Sequence, residues 1–264
     1  MFDPIQAAEE IKNSYIDYIT TTFDMSDETY KQELRKKLTE NGMIASGPYL
    51  DIGGSYETGH AIRELVESRL VSPLFEKLEP IAEEKRELKL ERALYCHQET
   101  ALLKANAGEN LVITTGTGSG KTESFLLPII NHLLCQQEAG TLDAGVRTII
   151  IYPMNALAND QMKRMRALFR NYPQICYGVY NGNTEHAQSK ALEEYRKTFR
   201  DEQGNPLEPM ENEIISREVM QKTPPHILIT NYSMLEYMML RPKDDQVFSG
   251  AKLKFIVLDE AHIY

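Results

Sequence analysis

The chain has 264 residues, 42% hydrophobic and 26% charged, enough apolar material for one large domain or a large and a smaller one. No apolar run approaches the roughly 20 residues of a membrane span, since the best, residues 125–135, is broken by Pro128, Asn131 and His132; no membrane partner is expected. Cys96, Cys135 and Cys176 form no C-x-x-C pair and the start MFDPIQAAEE lacks the basic and apolar parts of a secretory signal, so the expected location is a reducing cytoplasm.

The net charge of -10 is unevenly spread. Residues 1–92 carry 12 Lys and Arg against 19 Asp and Glu, whereas residues 93–264 carry 17 against 20. The acidity sits in front of the glycine-rich stretch described below, so net charge neither supports nor excludes a nucleic-acid partner.

In chain order, residues 1–92 read as a mostly helical accessory region. Asp3-Pro4 is an N-cap with proline at the first helical position, and Ala8, Ile11, Tyr15, Tyr18 and Ile19 keep a helical spacing. A second helix is expected from Ser26 to a left-handed stop at Asn41-Gly42. Residues 45–59 are expected to be an extended loop, residues 61–70 a helix, and the charged residues 80–92 a solvated helix face or linker. From residue 93, short apolar runs alternate with amphipathic stretches. Strands are expected at 111–114, 148–152, 175–180, 226–230 and 254–258, and helices at 121–137, 156–170, 185–199 and 233–240. Strict alternation implies right-handed crossovers and an α/β fold, a parallel sheet with helices on both faces. Residues 201–222 interrupt the pattern and read as a surface insertion.

The stretch LVITTGTGSGKT, residues 111–122, has the composition of a phosphate-binding loop. Gly116, Gly118 and Gly120 let backbone N–H groups crowd around a polyphosphate. Thr117, Ser119 and the glycines beside them form the cradle, Lys121 supplies charge, and Thr122 offers a hydroxyl to Mg²⁺. The expected ligands are therefore ATP, or another nucleoside triphosphate, and Mg²⁺. The usual pattern has glycine where this chain has Thr115. A second run, IVLDEAH at 256–262, ends a strand in two carboxylates at the sheet edge where the phosphate loop must lie. Asp259 is expected to hold Mg²⁺ and Glu260 to polarise the attacking water, with Lys121 as the third catalytic group. An acidic pair in that place could also be a plain helix N-cap.

TGTGSGKT together with DEAH resembles the first RecA-like lobe of a superfamily-two DEAD/DEAH-box helicase. Gln98 in LYCHQ falls where that family has an adenine-reading glutamine. YPMNALANDQ (152–161), YNGNT (180–184) and LITNYSMLEY (228–237) resemble motifs that contact nucleic-acid backbones. The resemblance assigns such contacts to Pro153, Asn155, Thr184, Thr230 and Asn231. Helix N-termini at one sheet edge would suit phosphates of any sequence. Lys163, Arg164, Arg166 and Arg170 read equally as a steering patch or a solvated basic face. For Tyr177, Tyr180, Tyr232 and Tyr237, base stacking and core packing both stay open.

The wording of these motifs is similar to large bacterial helicases of DNA repair and phage defence. The implied function is the ATP- and nucleic-acid-binding N-terminal part of an ATP-dependent DNA or RNA helicase or translocase. DNA is the implied partner, and a second RecA-like lobe and a C-terminal extension would complete the motor. DEAH falls at 259–262 of 264 residues. Residues 93–264 thus read as an incomplete RecA-like lobe, and the chain alone is not expected to turn over ATP. The alternative is a nucleotide-responsive nucleic-acid-binding or scaffold module without turnover.

Overall fold

The computed structural model describes the chain apart from residues 1–2, 24, 41, 48, 50–54, 79–88, 117 and 202, and the side chains of Ala156 and Asn159. The expected stop at Asn41 and most of the charged stretch 80–92 lie outside the described residues, as does Thr117. Contacts divide the chain into Met1–Ser55 and Tyr56–Tyr264.

The first unit is a pair of helices, α1 (Pro4–Thr22) and α2 (Glu28–Thr39). Asp3 caps α1 by accepting from the N–H groups of Ile5 and Gln6, as its place before Pro4 predicts. Asp27 caps α2 in the same way. Arg35 and Asp17 join the two helices at 2.6 Å.

The second unit opens with β1 (Thr58–Ala61), α3 (Ile62–Glu67) and a 3-10 turn at Pro73–Leu78, followed by β2 (Ala93–Tyr95) and α4 (Cys96–Asn106). Strand β1 pairs antiparallel with β2, a small sheet that the expected loop at 45–59 did not foresee. Then come α5 (Lys121–Glu138), β3 (Thr148–Ile151), α6 (Asn155–Leu168), β4 (Tyr177–Val179), α7 (Gln188–Thr198), β5 (Glu213–Ile214) and α8 (Arg217–Lys222). The chain closes with β6 (Ile227–Thr230), α9 (Tyr232–Leu240), α10 (Asp245–Phe248), β7 (Phe255–Leu258) and a 3-10 turn at Ala261–Ile263.

Strands β3 to β7 form one parallel sheet in the order β5-β4-β6-β3-β7. Successive side chains of a strand point to opposite faces, and here both faces are covered. Ile150, Ile227 and Ile229 meet Leu126 and Ile130 of α5 and Met162 and Met165 of α6. Ile149, Ile151 and Leu228 meet Met220 of α8, Met238 of α9 and Val247 of α10. This is the α/β architecture read from the alternation of apolar runs. Ile151, Thr230 and Leu258 are level in register, so the turns after β3, β6 and β7 leave the sheet at one height.

Three expectations need correction. Residues 111–114 form no strand: Val112 is 96% exposed, and the segment lies across a cleft of about 570 Å³ from β7. An extended run becomes a strand only when a neighbouring edge accepts its ladder, and the nearest edge stands one cleft away. The stretch 201–222 is not all surface insertion. Asn212 is buried and its amide donates to the carbonyls of Phe169, Tyr172 and Ile175, which docks β5 as the edge strand of the sheet. Nor do contacts divide at 92/93. Ile62, Leu65, Val71 and Phe75 share one core with α5, so those residues belong with the sheet.

Candidate nucleotide and nucleic-acid site

Helix α5 begins at Lys121 directly after Gly120, which is left-handed at φ +74, as Gly118 is at φ +75. Only glycine takes two such conformations in three residues without strain, and they turn the chain sharply into the helix. The departure at Thr115 has a use here, since its hydroxyl bonds that of the fully buried Ser119 at 2.6 Å and closes the loop on itself. His97 Nε2 meets the Ser119 carbonyl at 3.0 Å, and His97 lies among the rings of Tyr56 and Tyr95.

Gln98 is 2% exposed and both ends of its amide are engaged. The Tyr95 N–H donates to Oε1 at 2.9 Å, and Nε2 donates to the Gly120 carbonyl at 3.0 Å. In this arrangement Gln98 braces the phosphate loop from behind, with one N–H of Nε2 and one lone pair of Oε1 left over.

Lys121 lines the same cleft as Asp259 and Glu260, bounded by residues 111–115 and β7, and its charge acts on Asp259. Asp259 leaves β7 with its N–H donating to the Ile151 carbonyl at 3.1 Å. Burial raises its carboxyl pKa, and nearby Glu260 adds to that; the Glu260 N–H and the charge of Lys121 act the other way. Glu260 is left-handed at φ +50, a conformation costing a non-glycine residue about 1–2 kcal/mol. His262 Nδ1 lies 3.4 Å from Glu260 Oε2.

The oxygens suited to a magnesium ion are the Thr122 hydroxyl and the Asp259 carboxylate. Among the described residues no cluster of three His, Cys, Asp or Glu could hold a metal alone. That sparse set fits Mg²⁺, which keeps waters and takes phosphate oxygens rather than a protein cage. A cation there would also offset the desolvation that raises the Asp259 pKa.

The residues expected to touch nucleic acid separate into two groups. Asn155 opens α6 and Asn231 caps α9 by accepting from the Met234 N–H. The two meet, Asn231 Nδ2 donating to Asn155 Oδ1 at 2.9 Å. Among the described residues no side chain caps α6, which leaves its first-turn N–H groups available beside the half-buried Pro153 and exposed Met154. Thr230 is different. It is 1% exposed and donates to the Tyr180 carbonyl at 2.7 Å, a bond inside the fold. Thr184 is half-buried, donating to the Val179 carbonyl and accepting from the Asn181 N–H.

Of the three basic residues on α6, Arg164 pairs with Glu123 and Arg166 with Glu213, while Lys163 is exposed, as is Arg170 just past the helix end. Tyr177 and Tyr180 are core residues, and Tyr232 and Tyr237 are 58% and 60% exposed. Sequence reasoning missed Arg217. Its guanidinium lies over the Tyr180 ring and donates to the Asn181 carbonyl at 2.8 Å, supporting the turn that holds Thr184. Glu123 was missed as well; its only signal was an acid in the first helical turn.

Residues 95–200 match the family model of the DEAD/DEAH box helicase. Over that stretch the chain is similar to DEAD/DEAH box helicases. It is 31% identical to the Druantia protein DruE of Escherichia coli (strain UMEA 4076-1) over 94% of its length, covering 18% of that protein. It is 30% identical to the ATP-dependent helicase Lhr-Core of Methanothermobacter thermautotrophicus over 62% of the chain and 17% of the relative. The chain thus spans about a fifth of the length of these relatives. Among solved structures, the DUF1998 helicase MrfA bound to DNA matches at a TM-score of 0.52 and 25% identity, over 80% of this chain and 22% of that one. Among the described residues no helix is long and apolar enough to cross a membrane.

Proposed function

We propose that this chain is a DEAD/DEAH-box domain, the ATP- and nucleic-acid-binding part of an ATP-dependent helicase or translocase. The observation that carries the reading is that Lys121 and the Asp259–Glu260 pair line one cleft. That cleft opens at the sheet edge where α6 and α9 begin. In this reading residues 118–122 hold the phosphates, with Thr117 completing the loop. Lys121 neutralises the charge that builds toward the terminal phosphate, and Glu260 orients water. Thr122 and Asp259 hold Mg²⁺, which supplies charge neutralisation on the phosphate oxygens. Pro153, Asn155 and Asn231 offer a phosphate-contacting surface that reads no base, with Thr184 behind its turn.

DNA is the favoured nucleic acid, because the solved relative that matches this fold is described as bound to DNA. Service in DNA repair or phage defence is read from the motif wording. Cytoplasmic residence follows from that service. A second RecA-like lobe would supply the charge for rapid hydrolysis. One observation favours the alternative of a nucleotide-responsive binding module for these 264 residues. Lys121 and Lys254 are the cations among the described residues lining the cleft, and no arginine lines it.

The test is direct binding. A fluorescent Mg-ATP analogue and labelled single strands of DNA and RNA are titrated into the chain. Saturable nucleotide binding and salt-sensitive, sequence-indifferent strand binding are expected. An absence of nucleotide binding, or a sharp base preference, would overturn the assignment.

A further inference from the structure

One ion pair joins the phosphate loop to the helix that opens at the nucleic-acid edge. Glu123 is the third residue of α5 and 7% exposed, and its Oε1 accepts from the Arg164 guanidinium of α6. Its other oxygen, Oε2, is buried without a hydrogen-bond partner. That oxygen faces the loop: a methyl group on Gly120 would stand 2.8 Å from it and 2.4 Å from Gln98 Nε2. A carboxylate in this place is held by the α5 dipole, yet it repels a polyphosphate entering the loop. Arg164 is the charge that cancels it.

Arg164 lies nine residues along α6 from Asn155, about 14 Å along the axis at 1.5 Å per residue. The far end of the same helix is where Asn155 meets Asn231.

We propose that Arg164 is a positioning residue through which a nucleic-acid strand held at the start of α6 favours nucleotide in the phosphate loop. The strand fixes α6, and the fixed helix keeps the guanidinium on Glu123. The carboxylate then no longer repels the phosphates. Ordering at one site thereby lowers the cost of ordering at the other. The inference rests on the function proposed above.

The experiment measures the Kd of a fluorescent Mg-ATP analogue for the 264-residue chain, with and without saturating single-stranded DNA. The strand should tighten nucleotide at least about fivefold, the low end of ordinary coupling between sites, and nucleotide should tighten the strand by the same factor. Arg164→Gln leaves the carboxylate uncompensated, so nucleotide binding weakens and the strand effect falls to about onefold. Glu123→Gln removes the repelling charge, so nucleotide binding is kept while the strand effect is lost. The double variant should behave as Glu123→Gln does. Arg164→Lys keeps the charge and should recover nucleotide affinity relative to Arg164→Gln, which guards against a folding defect. A pair with only a structural role would weaken nucleotide binding in both single variants. A parent that binds both ligands independently, or variants that keep the parent's ratio, would overturn the coupling and leave the proposed function standing. A parent that binds no nucleotide would remove both.

Discussion

Replacing Arg166 by methionine isolates one buried charge. Glu213, on the edge strand β5, is 6% exposed, and its carboxylate accepts from the Tyr195 hydroxyl at 2.7 Å, from Arg166 at 3.0 Å and from the Met210 N–H at 3.2 Å. Burial pushes its pKa above the ordinary 4.5, while Tyr195, Met210 and Arg166 hold it down. Removing one partner of a buried ion pair costs about 3–5 kcal/mol. The low end applies, because the Arg166 side chain is 23% exposed and two hydrogen bonds to Glu213 survive. About 3 kcal/mol lowers Tm by roughly 6–12 °C for a unit of this size. The pH dependence follows from the raised pKa. The folded chain holds the Glu213 proton to higher pH than the unfolded chain, so stability present below the unfolded value is lost as pH rises through the folded one. Arg166→Met raises the folded pKa further, so its deficit against the parent should widen from pH 4, below the ordinary carboxyl value, to pH 8. Urea unfolding at both pH values measures it. A deficit of the same size at both would refute the reasoning, as would an Arg166→Met/Glu213→Gln double variant no more stable than Arg166→Met at pH 8.

Lys121→Ala should weaken Mg-ATP binding about 10- to 150-fold, the range of a lost charge-assisted hydrogen bond, read by fluorescence titration. Thr230→Val leaves the Tyr180 carbonyl without its donor, so it should cost about 1–3 kcal/mol in urea unfolding and leave strand affinity unchanged. Asn155→Ala should do the reverse, weakening the strand with little change in stability. Phosphate release by the 264-residue chain should stay near background and be unmoved by single strands, because a missing arginine is worth about 10³–10⁵ in rate. Robust turnover that Glu260→Gln removes would contradict that.

The sequence exposed the site's chemistry more fully than its scaffolding. A central parallel strand is buried on both faces, so β3 and β6 wrote themselves as apolar runs, whereas β7, at the sheet margin, showed as a run ending in Asp259. Lys121 and Asp259 were legible because glycine spacing and paired carboxylates are local patterns. What stayed hidden depends on partners far along the chain. Residues 111–114 have a strand's composition, yet pairing is decided by the edge beside them. Strand β5 is two residues long and is anchored by one amide reaching three carbonyls, which leaves no periodic trace. Gln98 was read for what its side chain could offer a base, and its bonds to Tyr95 and Gly120, the second 22 residues away, leave no local sequence pattern. Thr230 was read as a nucleic-acid contact because it stands in LITNYSMLEY, whereas it ends β6 between β4 and β3 with its hydroxyl on the Tyr180 carbonyl.

The flank of β7 that faces the cleft affects how this chain behaves when concentrated. It ends the sheet order, and among the described residues it pairs with β3 alone, which leaves its outer N–H and C=O groups unmatched there. Ile256 and Leu258 beside them are 62% and 51% exposed. Such a margin is a template for another extended backbone, and a second molecule at high concentration supplies one. Two chains zipped along β7 would narrow each other's clefts at Asp259 and Glu260. A nucleotide titration at high protein concentration would then curve as if sites communicated, and the curvature would vanish on dilution.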